Sequence, residues 1–396
     1  MDEQIDAVSQ SMLGLTLACA RCHDHKFDPV TQRDYYALAG IFLSSETLYG
    51  THAQQQNNNP SSLIELDPEA EQISALAGIS PSEVAELKSR YEAAEKQAEE
   101  VQREVVAQRM EDRNSNAAVS FIKVRAARDR SETVKADLEQ FHEDGSPRTL
   151  AMGVLDSSRP VNAPVLIRGD IKQPGEVVPR GLVEVLCAKG EPLNISQGSG
   201  RLDLAYFISS KDNPLTARVM VNRIWLKLMG SGLVSTPDNF GVMGQKPTHP
   251  ELLDYLAISF MNQGWSVKQL IRQIMLSRTY QMASTYDAQN FAVDPDNKLH
   301  WRMDQRRLDA EAIRDAMLAI SGTLNLYPVD GSPVARATEG REGMFTLLRD
   351  VNSKPYNYRS IYLPIIRDQV PEILNVFDFP DASLVNGERD NTNVPS

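Results

Sequence analysis

The chain has 396 residues, with 53 acidic and 41 basic side chains and a formal net charge of −12. Nucleic acid is excluded as the main partner, because phosphate binding requires a basic face. At about 150 residues per domain the length predicts two or three domains, and no apolar run approaches the roughly 20 residues that cross a bilayer.

The first predicted segment, residues 1–65, consists of a helix, a cysteine-containing turn and a second helix. Apolar residues at steps of three and four predict a helix with one apolar face over residues 2–18. Asp28 followed by Pro29 predicts a helix cap and a proline in the first helical position, so the second helix is expected to open there. A polar run over residues 54–60 predicts the end of the segment.

The turn between these helices contains Cys19-Ala20-Arg21-Cys22-His23, a C-x-x-C-H run typical of haem c attachment. Two thiols one helical turn apart bond the two vinyl groups of a porphyrin, and the adjacent imidazole ligates the iron. Covalent haem c is therefore predicted on Cys19 and Cys22, with His23 as the proximal iron ligand. His25 is expected to make local hydrogen bonds.

Three other interpretations of the motif stay open. A redox-active pair belongs at a helix N-terminus, whereas Cys19 and Cys22 are predicted at the end of a helix. A zinc site built from these cysteines with His23 and His25 crowds four ligands into seven residues, while zinc normally draws on two separated pairs. An ordinary disulfide, or two buried thiols, leaves the histidine unexplained. Cys187, the third cysteine, is predicted to be a small buried apolar residue.

Residues 66–147 are predicted to form a coiled-coil-like helical arm. Ser80 with Glu83 makes a capping box. Apolar residues from Val84 to Val105 then alternate three and four apart, as in a coiled-coil seam of about three heptads. A weaker helical pattern follows, so residues 81–141 are expected to fold as an antiparallel helical hairpin that mediates contacts with a second copy or with a partner.

Residues 148–200 are predicted to form a small β and loop unit. The runs Leu150–Leu155 and Val161–Arg168 are short and rich in Val, Leu and Ile, which is typical of strands. Glycines and prolines between residues 169 and 181 predict an ordered loop region after them.

Residues 201–396 are predicted to form a helical domain, which makes the fold class mainly α. Asn213 is expected to cap a helix that ends at Gly230. Further helices are expected over residues 251–261, 266–279 and 309–321. The inward face of the last helix is predicted to consist of Ala310, Ile313, Met317 and Ile320.

Two polar groups in this domain are candidates for a site. The charged run from Arg306 to Glu311, with Arg314 and Asp315, has the charges to bind an anion, but charges at helical spacing are usually ion pairs, and we favour that structural interpretation. If the domain is instead an enzyme, a polar pocket is expected. It would be formed by Arg218, Asn222, Arg306 and Asp309.

Long stretches resemble a known family. LTLACARCHDHKFDP at residues 15–29 resembles the core motif of the Planctomycete-type cytochrome-associated proteins, and VLIRGD at 165–170, NPLTARVMVNRIW at 213–225 and FDFP at 377–380 are similar to later parts of the same proteins. These are large exported proteins that join a cytochrome-c-like domain to two domains of unknown function. The chain is expected to begin within the first of those two domains and to be a fragment.

The resemblance implies haem at Cys19, Cys22 and His23 and a location in the periplasm or cell envelope, and it implies no reaction. Motif and resemblance together predict an exported c-type haem-binding protein with an electron-transfer or redox role and an unidentified redox partner. One alternative is an envelope enzyme or carbohydrate-associated module in which the C-x-x-C-H run is structural. Another is a scaffold that uses the helical arm. No nucleic acid and no membrane-spanning segment are expected.

Overall fold

The computed structural model describes most of the chain, namely residues 1–48, 62–66, 78–111, 117–187, 195, 197–328, 356–363, 365, 370–381, 387 and 389. Helices dominate these residues and the strands are short, which confirms the mainly α prediction. The chain divides into two compact units, one from residues 1–44 and 159–396 and the other from residues 45–158. The predicted domain boundaries at residues 65, 147 and 200 stay a prediction.

The elements are numbered in chain order. The helices are α1 (Asp2–Val8), α2 (Gln32–Leu43), α3 (Pro81–Glu111), α4 (Ala117–Glu139), α5 (Arg201–Ser209), α6 (Thr216–Met229), α7 (Pro250–Asn262), α8 (Val267–Met275), α9 (Ala288–Val293), α10 (Ala310–Ile320) and α11 (Glu372–Val376). The strands are β1 (Ser45–Leu48), β2 (Ile64–Glu65), β3 (Leu150–Ala151), β4 (Gly153–Asp156), β5 (Ala163–Leu166) and β6 (Pro174–Val178).

The first helix ends earlier than the predicted residue 18. α1 passes into a π-helical turn, Ser9–Leu13, and Gly14 then takes a φ of 61°, the left-handed conformation that ends helices. A Cβ on Gly14 would lie 2.8 Å from Cδ2 of Phe240, so glycine is also needed for the close approach of that ring. The C-x-x-C-H run therefore starts on a separate 3₁₀ turn, Leu17–Arg21, and not at the end of a helix.

The second helix starts after the predicted cap at Asp28. Thr31 caps α2: its hydroxyl accepts the N–H of Asp34 at 3.1 Å, and the Asp34 carboxylate accepts the N–H of Thr31 at 2.7 Å. This capping box satisfies two backbone donors at once, which explains why the helix begins at Gln32. The polar run over residues 54–60, predicted to end this segment, lies outside the described residues.

The N-terminal helices share an apolar core with residues 159–208. Side chains from α1, α2, the 3₁₀ turn and α5 are buried in it, and the largest fully buried ones are Ile5, Leu17, Tyr35 and Ile41. Cys187, which was predicted to be buried, is half-buried and packs against this core. Strands β5 and β6 form an antiparallel hairpin beside it.

Strands are present in both predicted runs, Leu150–Leu155 and Val161–Arg168, but the two runs do not pair with each other. Residues 150–155 contain β3 and β4, which pair with β2 and β1, whereas β5 in the run 161–168 pairs with β6. β6 also occupies part of residues 169–181, which were predicted as loop. Strand partners far along the chain leave no mark in a short apolar run, so these pairings could not be predicted from the sequence.

A second core lies between α6, α7 and α8, close to their predicted ranges. Trp225, Leu233, Phe260 and Leu270 are buried in it. α6 ends at Gly230 with a φ of 95°, which confirms its predicted C-terminal end. Its N-cap residue is Leu215 and not the predicted Asn213, whose side chain accepts the N–H of Leu215 at 2.9 Å and of Thr216 at 3.3 Å in the turn before the helix.

The predicted inward face of α10 is partly wrong. Ala310 is buried, but Met317 and Ile320 are 43% and 88% exposed. Arg314 is buried instead: its guanidinium donates to the carbonyls of Tyr356 and Tyr358, the second at 2.9 Å. Burial lowers the pKa of Arg314, and the carbonyl oxygens compensate its lost hydration.

The second unit contains the predicted helical hairpin. α3 packs along α4, and the capping box is present, since the N–H of Ser80 donates to the Glu83 carboxylate at 2.7 Å. The most buried residues of α3 are Val84, Ala98 and Val105, all on the predicted seam. Arg128 of α4 donates to Gln102 of α3 at 2.7 Å. The apolar seam is thus covered by the chain's own second helix.

Candidate functional site

The C-x-x-C-H run forms a turn with one side buried in the N-terminal core and the other side exposed to solvent. Cys19 lies in the 3₁₀ turn, Cys22 caps its end and His23 follows, and all three side chains are exposed. Leu17 and Ala20 of the same turn are buried in the N-terminal core. Apolar burial on one side therefore fixes the turn and keeps the thiols and the imidazole on the surface.

The backbone between the two cysteines is held by side chains of α2. The carbonyl of Arg21 accepts a hydrogen bond from the Tyr36 hydroxyl at 3.0 Å and another from Nε2 of Gln32 at 2.9 Å. The same Gln32 amide donates to the carbonyl of Leu166, at the end of β5, at 3.0 Å. Helix, turn and hairpin are thereby tied together at the motif.

The Arg21 side chain makes a second tie. Its guanidinium pairs with Asp2 at the start of α1, and Asp2 also accepts the hydroxyl proton of Tyr35. Burial and this hydrogen bond raise the pKa of Tyr35, and burial raises the pKa of Tyr36. Both phenols are therefore neutral donors near neutral pH, and they hold the turn in one position.

His23 has a defined tautomer. Its Nδ1 lies 2.7 Å from the carbonyl oxygen of Asp24, and a carbonyl only accepts, so Nδ1 carries the proton. In the neutral ring Nε2 then holds a lone pair, and it has no hydrogen-bond partner among the described residues. An imidazole whose N–H is fixed by a carbonyl is held in one orientation, as in metal-ligating histidines.

His25 is structural, and the expected local hydrogen bonds are confirmed. Its Nδ1 accepts the N–H of Asp28 at 2.8 Å, and Nε2 lies 3.4 Å from Oγ1 of Thr16. With both ring nitrogens engaged, His25 does not serve as the fourth ligand of a zinc site. In the part of the chain that the structure describes, no group of three or more His, Cys, Asp or Glu is arranged to hold a metal ion.

Asp28 clamps the motif to the loop after α6. Its buried carboxylate accepts the N–H of Val242 at 2.6 Å, and a Cβ on Gly241 would lie 2.5 Å from that carboxylate. Any side chain larger than that of Gly241 would therefore displace the Asp28 carboxylate. Sequence reasoning assigned Asp28 to a helix cap, because its true partner lies more than 200 residues away.

Cys22 is covered on one side by the β5–β6 turn. A Cβ on Gly169 would lie 2.6 Å from the Cys22 sulfur, and Gly169 has a φ of 73°, so only glycine fits without displacing the thiol. The Cys22 thiol therefore lies against the glycine of this turn. Ile167 and Ile171 of the same turn are exposed, the second at 79%. None of the three cysteines is joined to another.

The polar pocket expected of an enzyme is not formed. Arg218 pairs with Asp254 at 2.7 Å and lines one cavity of about 260 Å³. Asn222 is fully buried in the C-terminal core, and Arg306 and Asp309 line a different cavity at the other end of α6. The prediction that these four residues converge is therefore wrong, since residues at both ends and on the buried face of one helix cannot share a pocket.

Comparisons with known proteins found family-model matches for both ends of the chain. Residues 1–47 match the family model PSCyt2, protein of unknown function (DUF1549), and residues 200–396 match PSD1, protein of unknown function (DUF1553). No curated protein and no solved structure matches. Across the described ranges, no helix is long and apolar enough to cross a membrane. The two matches confirm the similarity to the Planctomycete-type domains of unknown function, and the first match includes the C-x-x-C-H turn.

Proposed function

We propose that this chain is an exported protein that carries haem c on Cys19 and Cys22, with His23 as the proximal iron ligand, and that it acts in electron transfer or another redox process. The observation that supports this proposal best is the exposure and the tautomer of the His23 ring. Its ring is exposed, the carbonyl of Asp24 fixes the proton on Nδ1, and Nε2 keeps the lone pair that iron requires.

The chemistry of the donor set supports the proposal. Covalent attachment requires two accessible thiols next to a neutral imidazole, and Cys19, Cys22 and His23 supply them on one surface turn. Bound there, haem supplies a one-electron couple. The hydrogen bond that Nδ1–H of His23 donates to the carbonyl of Asp24 would orient the imidazole as an iron ligand.

The alternatives have less support. An envelope enzyme or carbohydrate-associated module would use the pocket that Arg218, Asn222, Arg306 and Asp309 do not form. A scaffold that uses the seam of the helical arm would need that seam uncovered, and α4 covers it. A disulfide between Cys19 and Cys22 leaves the fixed tautomer of His23 without a role.

The test is covalent haem on the full chain. The chain would be exported through a fused signal peptide from cells that express a haem c attachment system, and the purified protein would be analysed by its pyridine haemochrome spectrum. The expected result is a c-type α band. Cys19→Ala and Cys22→Ala should each lose the two-bond spectrum, whereas Cys187→Ala, the matched cysteine control, should keep it.

The proposal fails if the exported chain carries no covalent haem while a known c-type cytochrome matured in the same cells is loaded. It also fails if Cys187→Ala lowers the haem content as much as Cys19→Ala does.

A further inference from the structure

A second candidate site lies in the C-terminal domain, far along the chain from the cysteines. A cavity of about 470 Å³ opens where α6 ends and the segment leading into α10 passes. Its cationic lining side chains are Lys227, Arg302, Arg306, Arg307 and Arg389. Its lining carboxylates are those of Asp304 and Asp309. Positive charge concentrated here contrasts with a chain whose net charge is −12.

Two of these five cationic side chains form ion pairs with carboxylates of the protein. Arg389 binds the Glu311 carboxylate through both terminal nitrogens, at 2.6 and 2.9 Å, and Arg307 pairs with Asp378. The hydrogen bonds from Arg389 lower the pKa of Glu311, so this pair stays ionised near neutral pH. Arg307 and Arg389 are therefore structural parts of the cavity.

The other three cations, Lys227, Arg302 and Arg306, form no ion pair within the described part of the chain. Among the described residues, no carboxylate oxygen lies within 4.0 Å of a side-chain nitrogen of Lys227, Arg302 or Arg306. Arg306 donates to a neutral group, the carbonyl of Lys227, at 2.5 Å. That bond fixes one edge of the guanidinium at the C-terminal end of α6, where a cation is favoured, and leaves its other N–H groups for a ligand.

Arg302 adds a donor without an acceptor. Its guanidinium lies over the Trp301 ring at 4.9 Å from the centroid, and its Nε is buried with no hydrogen-bond partner in the described part of the chain. A buried N–H without an acceptor is costly. The terminal nitrogens of Arg302 also have no hydrogen-bond partner among the described residues, and Arg302 lines the cavity, so these nitrogens can donate to an acidic ligand there.

The size and chemistry of the cavity indicate the class of ligand. Small-molecule sites span roughly 300–1,000 Å³, so about 470 Å³ suits a small organic molecule better than a single inorganic ion. Guanidinium groups bind carboxylates and phosphates through two parallel hydrogen bonds.

We propose that this cavity binds a small organic oxyanion, bearing a carboxylate or a phosphate, through Arg302 and Arg306 with Lys227 as a further cation. The charged run at residues 306–311, which by its spacing alone is typical of ion pairs, divides its roles. Arg307 pairs within the protein, and Arg306 faces the ligand. The site shares no residue with the C-x-x-C-H turn, so this proposal does not depend on whether the chain binds haem.

Calorimetric titration of the full chain at constant ionic strength tests the proposal, with citrate and phosphoserine as the two probes and sodium chloride as the salt control. At least one probe should bind in the wild type. Arg306→Gln should weaken that binding at least about tenfold, because a charge-assisted two-bond contact is lost. The matched control is Arg272→Gln, which removes the same charge from an exposed position on α8 and should leave binding unchanged.

Arg306→Lys keeps the charge without the planar fork, so it should bind with intermediate affinity, and it replaces Arg306→Gln if that variant does not fold by circular dichroism. Binding of citrate alone would identify a carboxylate ligand, and binding of phosphoserine also after its carboxylate is blocked would identify a phosphate ligand. The proposal is overturned if neither probe binds, if chloride gives the same heat, or if Arg306→Gln and Arg272→Gln weaken binding equally.

Discussion

Asn222 is expected to act in stability and not in ligand binding. It is fully buried, and its side-chain amide makes two hydrogen bonds to one residue: Nδ2 donates to the carbonyl of Val234 at 2.9 Å, and Oδ1 accepts the N–H of Val234 at 2.8 Å. Asn222→Ala leaves both backbone groups buried without partners, at about 1–3 kcal/mol each. The expected loss in the free energy of unfolding is about 3 kcal/mol, because a water molecule entering the vacated space recovers part of the penalty.

Urea unfolding followed by circular dichroism measures this loss. In a domain of this size each kcal/mol lowers the melting temperature by about 2–4 °C, so Asn222→Ala should melt about 6–12 °C below the wild type. Asn290→Ala, at an exposed position of α9, is the control and should stay within about 0.5 kcal/mol of the wild type. If Asn222→Ala were equally mild, the two hydrogen bonds would not carry the stability assigned to them.

Three further predictions concern the contact at Cys22, the cap of α2 and the titration of His300. Gly169→Ala and Gly264→Ala both place alanine at a positive φ, which should lower the free energy of unfolding by about 1–2 kcal/mol in each case. Only Gly169→Ala crowds the Cys22 sulfur, so it alone should change the rate at which a disulfide reagent labels Cys22. Equal labelling rates in the two variants would contradict that contact. Thr31→Ala should cost about 1 kcal/mol in urea unfolding through loss of the capping box, and no loss would contradict it. Burial lowers the pKa of His300, so its contribution to stability is present above pH 6.5 and is lost as the pH falls. His300→Asn should therefore reduce the fall in the urea midpoint between neutral pH and about pH 5, roughly the lower end of histidine titration. An unchanged fall in the midpoint would contradict this contribution.

Elements defined by local signals were predictable from the sequence. The seam of α3 follows from apolar spacing, and the C-terminal end of α6 follows from Gly230, because a left-handed helix end depends on residues within one turn. Ends set by distant contacts were not predictable. Gly14 interrupts an apolar periodicity that continues through the π-helical turn, and its glycine is required by Phe240, more than 200 residues away.

The sites divide in the same way. The spacing of the C-x-x-C-H run predicts two thiols and an imidazole on one turn, and the exposed side chains of that turn agree with the spacing. The contacts that hold it, Asp28 with Val242 and Cys22 with Gly169, join positions far apart in the chain and have no local pattern. Arg306 was indistinguishable from its neighbours in a charged run until the pairing of Arg307 with Asp378 separated their roles.

The central claim is that Cys19 and Cys22 carry haem covalently beside His23. The most direct measurement is the intact mass of the exported, denatured chain by mass spectrometry, because denaturation removes any haem held without thioether bonds. The expected result is a mass increase of one haem on the wild type and on Cys187→Ala, and none on a chain with both Cys19→Ala and Cys22→Ala. An unmodified wild-type mass, from cells that load a control c-type cytochrome, would contradict the account.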